Sequence, residues 1–102
     1  MDVDIDDPLR ILCARPRRLV LLALSRESEA TTLSEIAARM PTNETDARLL
    51  LCHVHLPKLA DRGYVDWDRE TGEVCRGPRF EEIAAVLELL DEHADALPFA
   101  WP

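Results

Sequence analysis

Apolar positions along this chain recur at helical spacing, switch once to alternation, and return to helical spacing before the end. The first helical stretch is short, residues 8–14, with Asp7 as cap and Pro8 at the first helical position. Pro16 opens a second, in which Leu19, Val20, Leu22, Ala23 and Leu24 cover so broad a face that the helix is predicted to be central and buried. Ser28 to Thr31 is expected to be a loop. Thr32-Leu33-Ser34-Glu35 has the form of a capping box, and Ile36, Ala37 and Met40 follow at helical spacing until Pro41 stops the helix. Thr45 or Asn43 then caps a long helix that runs through Leu59 and closes at Gly63, the residue type that takes a left-handed conformation most easily. Beyond Gly63 the period falls to two. Tyr64-Val65-Asp66-Trp67-Asp68 alternates like a half-buried strand, Arg69-Glu70-Thr71-Gly72 is a turn, and Glu73-Val74-Cys75-Arg76 is the returning strand. A last helix spans Arg79 to Leu97, with Phe80, Ile83, Ala84, Val86, Leu87, Leu90 and Ala94 on a wide apolar stripe.

A short helix, a tight turn at Pro41 to Asn43, a long helix and a hairpin predict a mainly α fold with a small β-hairpin wing, a winged helix-turn-helix. The 102 residues make one domain, with residues 1–7 an acidic tail. The stripe of the last helix, residues 80–97, is wider than a monomer of this size easily covers. A homodimer is therefore expected, with Phe80, Ile83, Val86, Leu87 and Leu90 at its interface.

The residues of the long helix add a resemblance. His55-Leu56, Leu59 and Gly63-Tyr64-Val65 resemble the pattern of ArsR-like winged helix-turn-helix proteins. More closely, PRRLVLLAL (16–24) with HVHLPKLADRGYVDWD (53–68) is similar to a family of small haloarchaeal winged-helix domains of unknown function, over residues 9–77. That resemblance implies DNA binding in transcriptional regulation, with double-stranded DNA as partner, and a salt-loving archaeal source. Composition agrees with the source. The net charge is −8, and Lys58 is the only lysine among twelve basic residues, a surface that stays hydrated in concentrated salt.

The charge is unevenly placed. Residues 1–8 hold four aspartates and no base, residues 9–26 five arginines and no acid, and residues 78–102 six acids against Arg79. Arg15, Arg17 and Arg18 on the second helix, Arg48, His55, Lys58 and Arg62 on the long helix, and Arg69 and Arg76 on the wing are the candidate DNA contacts. Such groups either hold phosphates or pair with the surrounding carboxylates.

At 100° per residue, an unbroken α-helix places Leu49, Cys52, His53, Leu56, Leu59 and Ala60 on the core side and Ala47, Leu50, Leu51 and Val54 opposite. The opposite face is then apolar where a groove-reading helix carries polar groups. It must be covered by the N-terminal helix, a second subunit or another protein, so a protein-interaction winged helix that never touches DNA is the competing function. Pro57, inside the helix, removes a donor and frees the carbonyl of His53; the kink either fits the helix to the core or shapes a binding surface.

Other chemistry has less support. Cys52, His53 and His55 suggest a metal, but their spacing lacks a Cys-x-x-Cys pair and separates the two histidines by about 200° on the wheel, so core packing of Cys52 and His53 is expected and no metal or cofactor. Three scattered cysteines fit a reducing cytoplasm. No apolar run approaches the roughly eighteen residues of a membrane span. With three glycines and no nucleophile beside a base, the chain is not expected to be an enzyme.

Overall fold

The computed structural model describes residues 6–26 and 29–102; the start of the acidic tail and the first residue of the expected Ser28 loop lie outside these. Six α-helices and three short strands follow one another: α1 (Asp6–Ile11), α2 (Arg15–Arg26), β1 (Ala30–Thr32), α3 (Leu33–Ala38), α4 (Glu44–Leu50), α5 (Leu56–Asp61), β2 (Val65–Trp67), β3 (Glu73–Arg76) and α6 (Phe80–Glu92). Between α4 and α5 the chain stays helical, through a π-helical turn at Leu51–His55. The whole is a mainly helical domain with a small antiparallel sheet, a helix-turn-helix carrying a wing.

Local chemistry explains the boundaries. The Thr32 side chain accepts from the amide of Glu35 at 3.2 Å and caps α3, while the Glu35 carboxylate accepts from the Thr31 hydroxyl at 3.0 Å in place of the reciprocal bond of a capping box. Asn43 caps α4, its Oδ1 accepting from Thr45 and Asp46 at 2.7 and 3.3 Å. At the other end Gly63, with φ +77°, donates to Ala60 and Tyr64 donates to Leu59, the paired bonds that finish a helix on a left-handed residue. The chain then turns straight into the wing.

The hairpin pairs Val65, Asp66 and Trp67 with Arg76, Cys75 and Val74. Its turn is held by Asp68, whose carboxylate accepts from the amides of Glu70 and Thr71 at 2.9 and 3.3 Å. A third strand joins it on the far side. Ala30–Thr32, whose first two residues lie in the expected loop, pairs antiparallel with β3, giving the order β1-β3-β2. Three residues are too few to show alternation, so only the sheet partner reveals this strand. Gly77 locks the junction to α6, because a Cβ there would stand 2.5 Å from the carbonyl oxygen of Gly63.

The core is centred on α2, as its broad face implies: Val20, Leu21 and Leu24 are fully buried beside Leu51, Leu56, Leu59, Tyr64 and Val74. The last helix is where the expectation fails. It is shorter than Arg79–Leu97, ending at Glu92 before a single 3₁₀ turn at Ala94–Ala96. Its stripe faces inward against α2: Phe80, Ile83, Ala84 and Leu87 are buried within the single chain, and Val86 and Leu90 pack on the edge of the same core. Phe80, Ile83 and Leu87 are thus core side chains of the single chain, while Val86 and Leu90 remain half-buried at its edge. The width of the stripe in the sequence does not show how much of α2 it has to cover. Trp101 folds back on this layer, donating to Asp91 at 3.0 Å under the guanidinium of Arg18.

Leu87→Ala should therefore lower the unfolding free energy by about 2–5 kcal/mol, the range for emptying a buried leucine site. Urea denaturation and sedimentation equilibrium measure it together: stability falls and the molecular mass stays constant, whereas a change of mass at unchanged stability would restore the interface assignment.

Candidate nucleic-acid interface

The long helical run from Glu44 to Asp61 decides which side chains face solvent. Pro57 has no amide hydrogen, and its ring would press on the carbonyl four residues earlier, that of His53, in a regular α-helix. Here the preceding turn opens. The amide of Leu56 donates to the carbonyl of Leu51, five residues back, so one extra residue is wound into this turn.

An extra residue rotates everything before it by about 100° relative to everything after. The core line consequently runs Ala47, Leu51, Leu56, Leu59, with a five-residue step across the π turn. Leu49, expected inside, is 53% exposed, and His53 is exposed as well, while Cys52 is half-buried. Ala47 and Leu51, expected outside, are 4% and 1% exposed. The outer surface of α4 and the π turn therefore carries Thr45, Arg48, Leu49 and His53, with Leu50 and Val54 beside them. It is more polar than an unbroken helix would show.

Three depressions along this surface share walls. Arg48 lines one with Ser34 of α3 and with Arg69, Glu70 and Thr71 of the wing turn. A second holds Arg48, Leu49, Cys52 and His53. The third runs between α5 and the wing, with His53, Val54, Pro57, Lys58, Asp61, Arg62, Trp67 and Arg69 on its sides. Arg48 lines the first two, His53 the last two, and Arg69 the first and third, so the depressions adjoin along the side of the long helix that carries the wing and make up the groove of this surface. Arg48 is oriented by Ser34, to whose hydroxyl it donates at 2.6 Å, and Arg69 lies 4.7 Å over the Trp67 ring. Among the described residues Arg48, Lys58 and Arg69 form no ion pair with a carboxylate. Trp67, whose buried indole N–H has no partner, and His53 belong to this surface and were not legible as such in the sequence.

The other candidate contacts lie elsewhere. Arg17 is buried, donating to the carbonyls of Ile11 at 2.7 Å and Arg10 at 3.0 Å. Arg18 donates to Leu12 at 2.6 Å. Burial lowers both guanidinium pKa values. Arg76 donates to Leu24 at 2.8 Å and to Ser25, behind the sheet. Arg62 is paired with Asp61 and Asp7 on the rim of the groove. Arg15 is exposed at the start of α2, and no carboxylate among the described residues pairs with it. Arg17, Arg18 and Arg76 therefore brace the fold, Arg62 is held in ion pairs at the groove rim, and Arg15 has no partner among the described residues.

His55 is also interior. Its Nδ1 lies 3.4 Å from a guanidinium nitrogen of Arg17, which is always a donor, so Nδ1 is the acceptor and the ring proton sits on Nε2. Burial, with Arg17 and Lys58 nearby, pushes its pKa below the usual histidine value. Among the described residues no three His, Cys, Asp or Glu side chains converge to hold a metal ion. Nor is any helix among them long and apolar enough to cross a membrane.

Fold and groove together define a small winged helix-turn-helix domain. A family model for a domain of unknown function (DUF7344) matches residues 9–75, and the chain belongs to that family. No curated protein and no solved structure gives a significant match.

The His55 environment makes stability pH-dependent. The unfolded chain protonates at about pH 6.5 and the folded one only lower, so the neutral ring's contribution is complete above that pH and is lost progressively below it. His55→Gln, which keeps an acceptor for Arg17, should lose less stability than the wild type between pH 7.5 and 5.5 in urea titrations; parallel losses would contradict the assignment.

Proposed function

We propose that this protein binds double-stranded DNA through the groove between its long helix and its wing, and acts as a regulator of transcription. The observation that carries the reading is the display of Arg48, Lys58 and Arg69 in adjoining depressions that share Arg69, unpaired with any carboxylate of the described residues. Cations so placed hold phosphates, and Thr45, His53 and Ser34 beside them supply groups able to hydrogen-bond base edges. Glu70 and Asp61 also line the groove, and Asp61 is already paired with Arg62. The overall charge of −8 repels DNA elsewhere on the molecule, which favours one orientation of approach. The ArsR-like resemblance supports the same function.

Docking of a partner protein is a second reading, favoured by the adjacent exposed side chains Leu49, Leu50 and Val54. Ala47 and Leu51 take no part in it, being core residues.

Fluorescence anisotropy with duplex DNA over a range of salt separates the two. Arg48→Ala, Lys58→Ala and Arg69→Ala should each weaken binding and flatten the slope of log K against log salt by about one unit. Arg26→Ala, at an ion pair with Asp91 away from the groove, should leave it unchanged. Absence of duplex binding even at low salt, with a protein partner lost on Val54→Glu, would replace the DNA reading with the docking one.

A further inference from the structure

The two exposed leucines of α4 stand in different surroundings. Leu49 is 53% exposed and Leu50 50%, so the fold covers neither. Leu50 lies at an apolar pocket with Pro16, Leu19 and Met40, which shares no wall residue with the groove. Leu49 lies in the second depression of the groove, with Leu33, Thr45, Arg48, Cys52 and His53. Thr45, Arg48, Leu49 and Cys52 follow at helical spacing, so Thr45, Leu49 and Cys52 make a short, largely apolar line with the Arg48 guanidinium beside it. No carboxylate among the described residues lines this depression.

We propose that Leu49 reads the C5-methyl group of thymine in a DNA major groove, and so determines part of the sequence preference; this rests on the DNA-binding reading above. Charge selects the occupant. Arg48 in this depression, with Arg69 and Lys58 in the adjoining ones, is unpaired with any carboxylate of the described residues, so a polyanion is drawn to the surface. An apolar side chain set among those cations then meets whatever apolar group the polyanion carries. Of the four base pairs' major-groove edges, only thymine's presents a methyl, and apolar side chains recognise it by contact. The arrangement gives an exposed leucine a use at a position where base reading by hydrogen bonds would call for a polar residue. Such a contact releases no counterion, so it persists in concentrated salt, where the phosphate contribution has faded.

The test deletes the methyl alone. The duplex that the wild-type protein selects from a random pool is remade with deoxyuridine in place of thymidine, one position at a time, and its affinity is measured by fluorescence anisotropy. At one or more positions the change should weaken binding about fourfold, the worth of one buried methyl, and by the same factor at low and at high salt. Leu49→Ala should bind the thymidine and deoxyuridine duplexes equally while keeping the wild-type salt slope. Leu50→Ala, equally exposed but outside the groove, should keep the wild-type preference. Both substitutions are at exposed positions, and unchanged thermal unfolding shows that the fold is retained. A preference kept by Leu49→Ala, or lost equally in Leu50→Ala, would overturn the assignment. So would a selected duplex indifferent to deoxyuridine at every thymidine, or a selection that yields no preferred sequence; in each case duplex binding itself still stands. Absence of binding to any duplex at low salt overturns the DNA-binding reading together with this one.

Discussion

A proline ring cannot share a regular helical turn with the carbonyl four residues before it, and much of this domain's surface depends on how that conflict is relieved at Pro57. The turn before it winds in one additional residue, with Leu56 donating to Leu51. The result is more than a bend. Ala47 and Leu51 move into the core and Leu49 and His53 move out, so the same ten residues present a different outer face. Phase along this helix determines whether Arg48 and His53 stand beside the wing or beneath it.

The arginines divide along the same boundary. Those near the domain's ends are structural: Arg17 and Arg18 gather the carbonyls that close α1, Arg76 ties the sheet to the end of α2, and Arg79 caps the carbonyl of Arg62 at the helix–wing corner. A guanidinium suits this work because its planar set of donors reaches several carbonyls at once. Arg48, Lys58 and Arg69 are not so occupied with backbone and stand along the groove. Of the basic block of residues 9–26, conspicuous in the sequence, Arg17 and Arg18 brace the interior, Arg26 forms a surface ion pair with Asp91, and Arg10 and Arg15 are exposed, while the cations along the groove come from scattered positions.

Much of the fold was legible in the residues. The Thr32 cap, the Asn43 cap, the Gly63 stop and the 64–76 hairpin are short-range devices whose chemistry is complete within a few residues, and the structure shows each. What could not be read depends on partners distant in sequence. The strand Ala30–Thr32 exists because β3 lies beside it, and the inward stripe of α6 is covered because α2 offers a wide enough face. The exterior of the long helix was misassigned for a different reason: a wheel assumes a constant angular step, and Pro57, noticed as a kink, also changes that step. Hence His53 was placed in the core and Leu51 outside it, and the groove residue Trp67 was seen only as part of a strand.

The phase of this helix is the central claim, and a soluble paramagnetic agent tests it residue by residue. Signals from Leu49 and His53 should broaden strongly on addition of the agent, while those of Ala47, Leu51 and His55 remain sharp. Protection of Leu49 and His53 together with broadening of Ala47 and Leu51 would mean an unbroken α-helix and would contradict the groove as described.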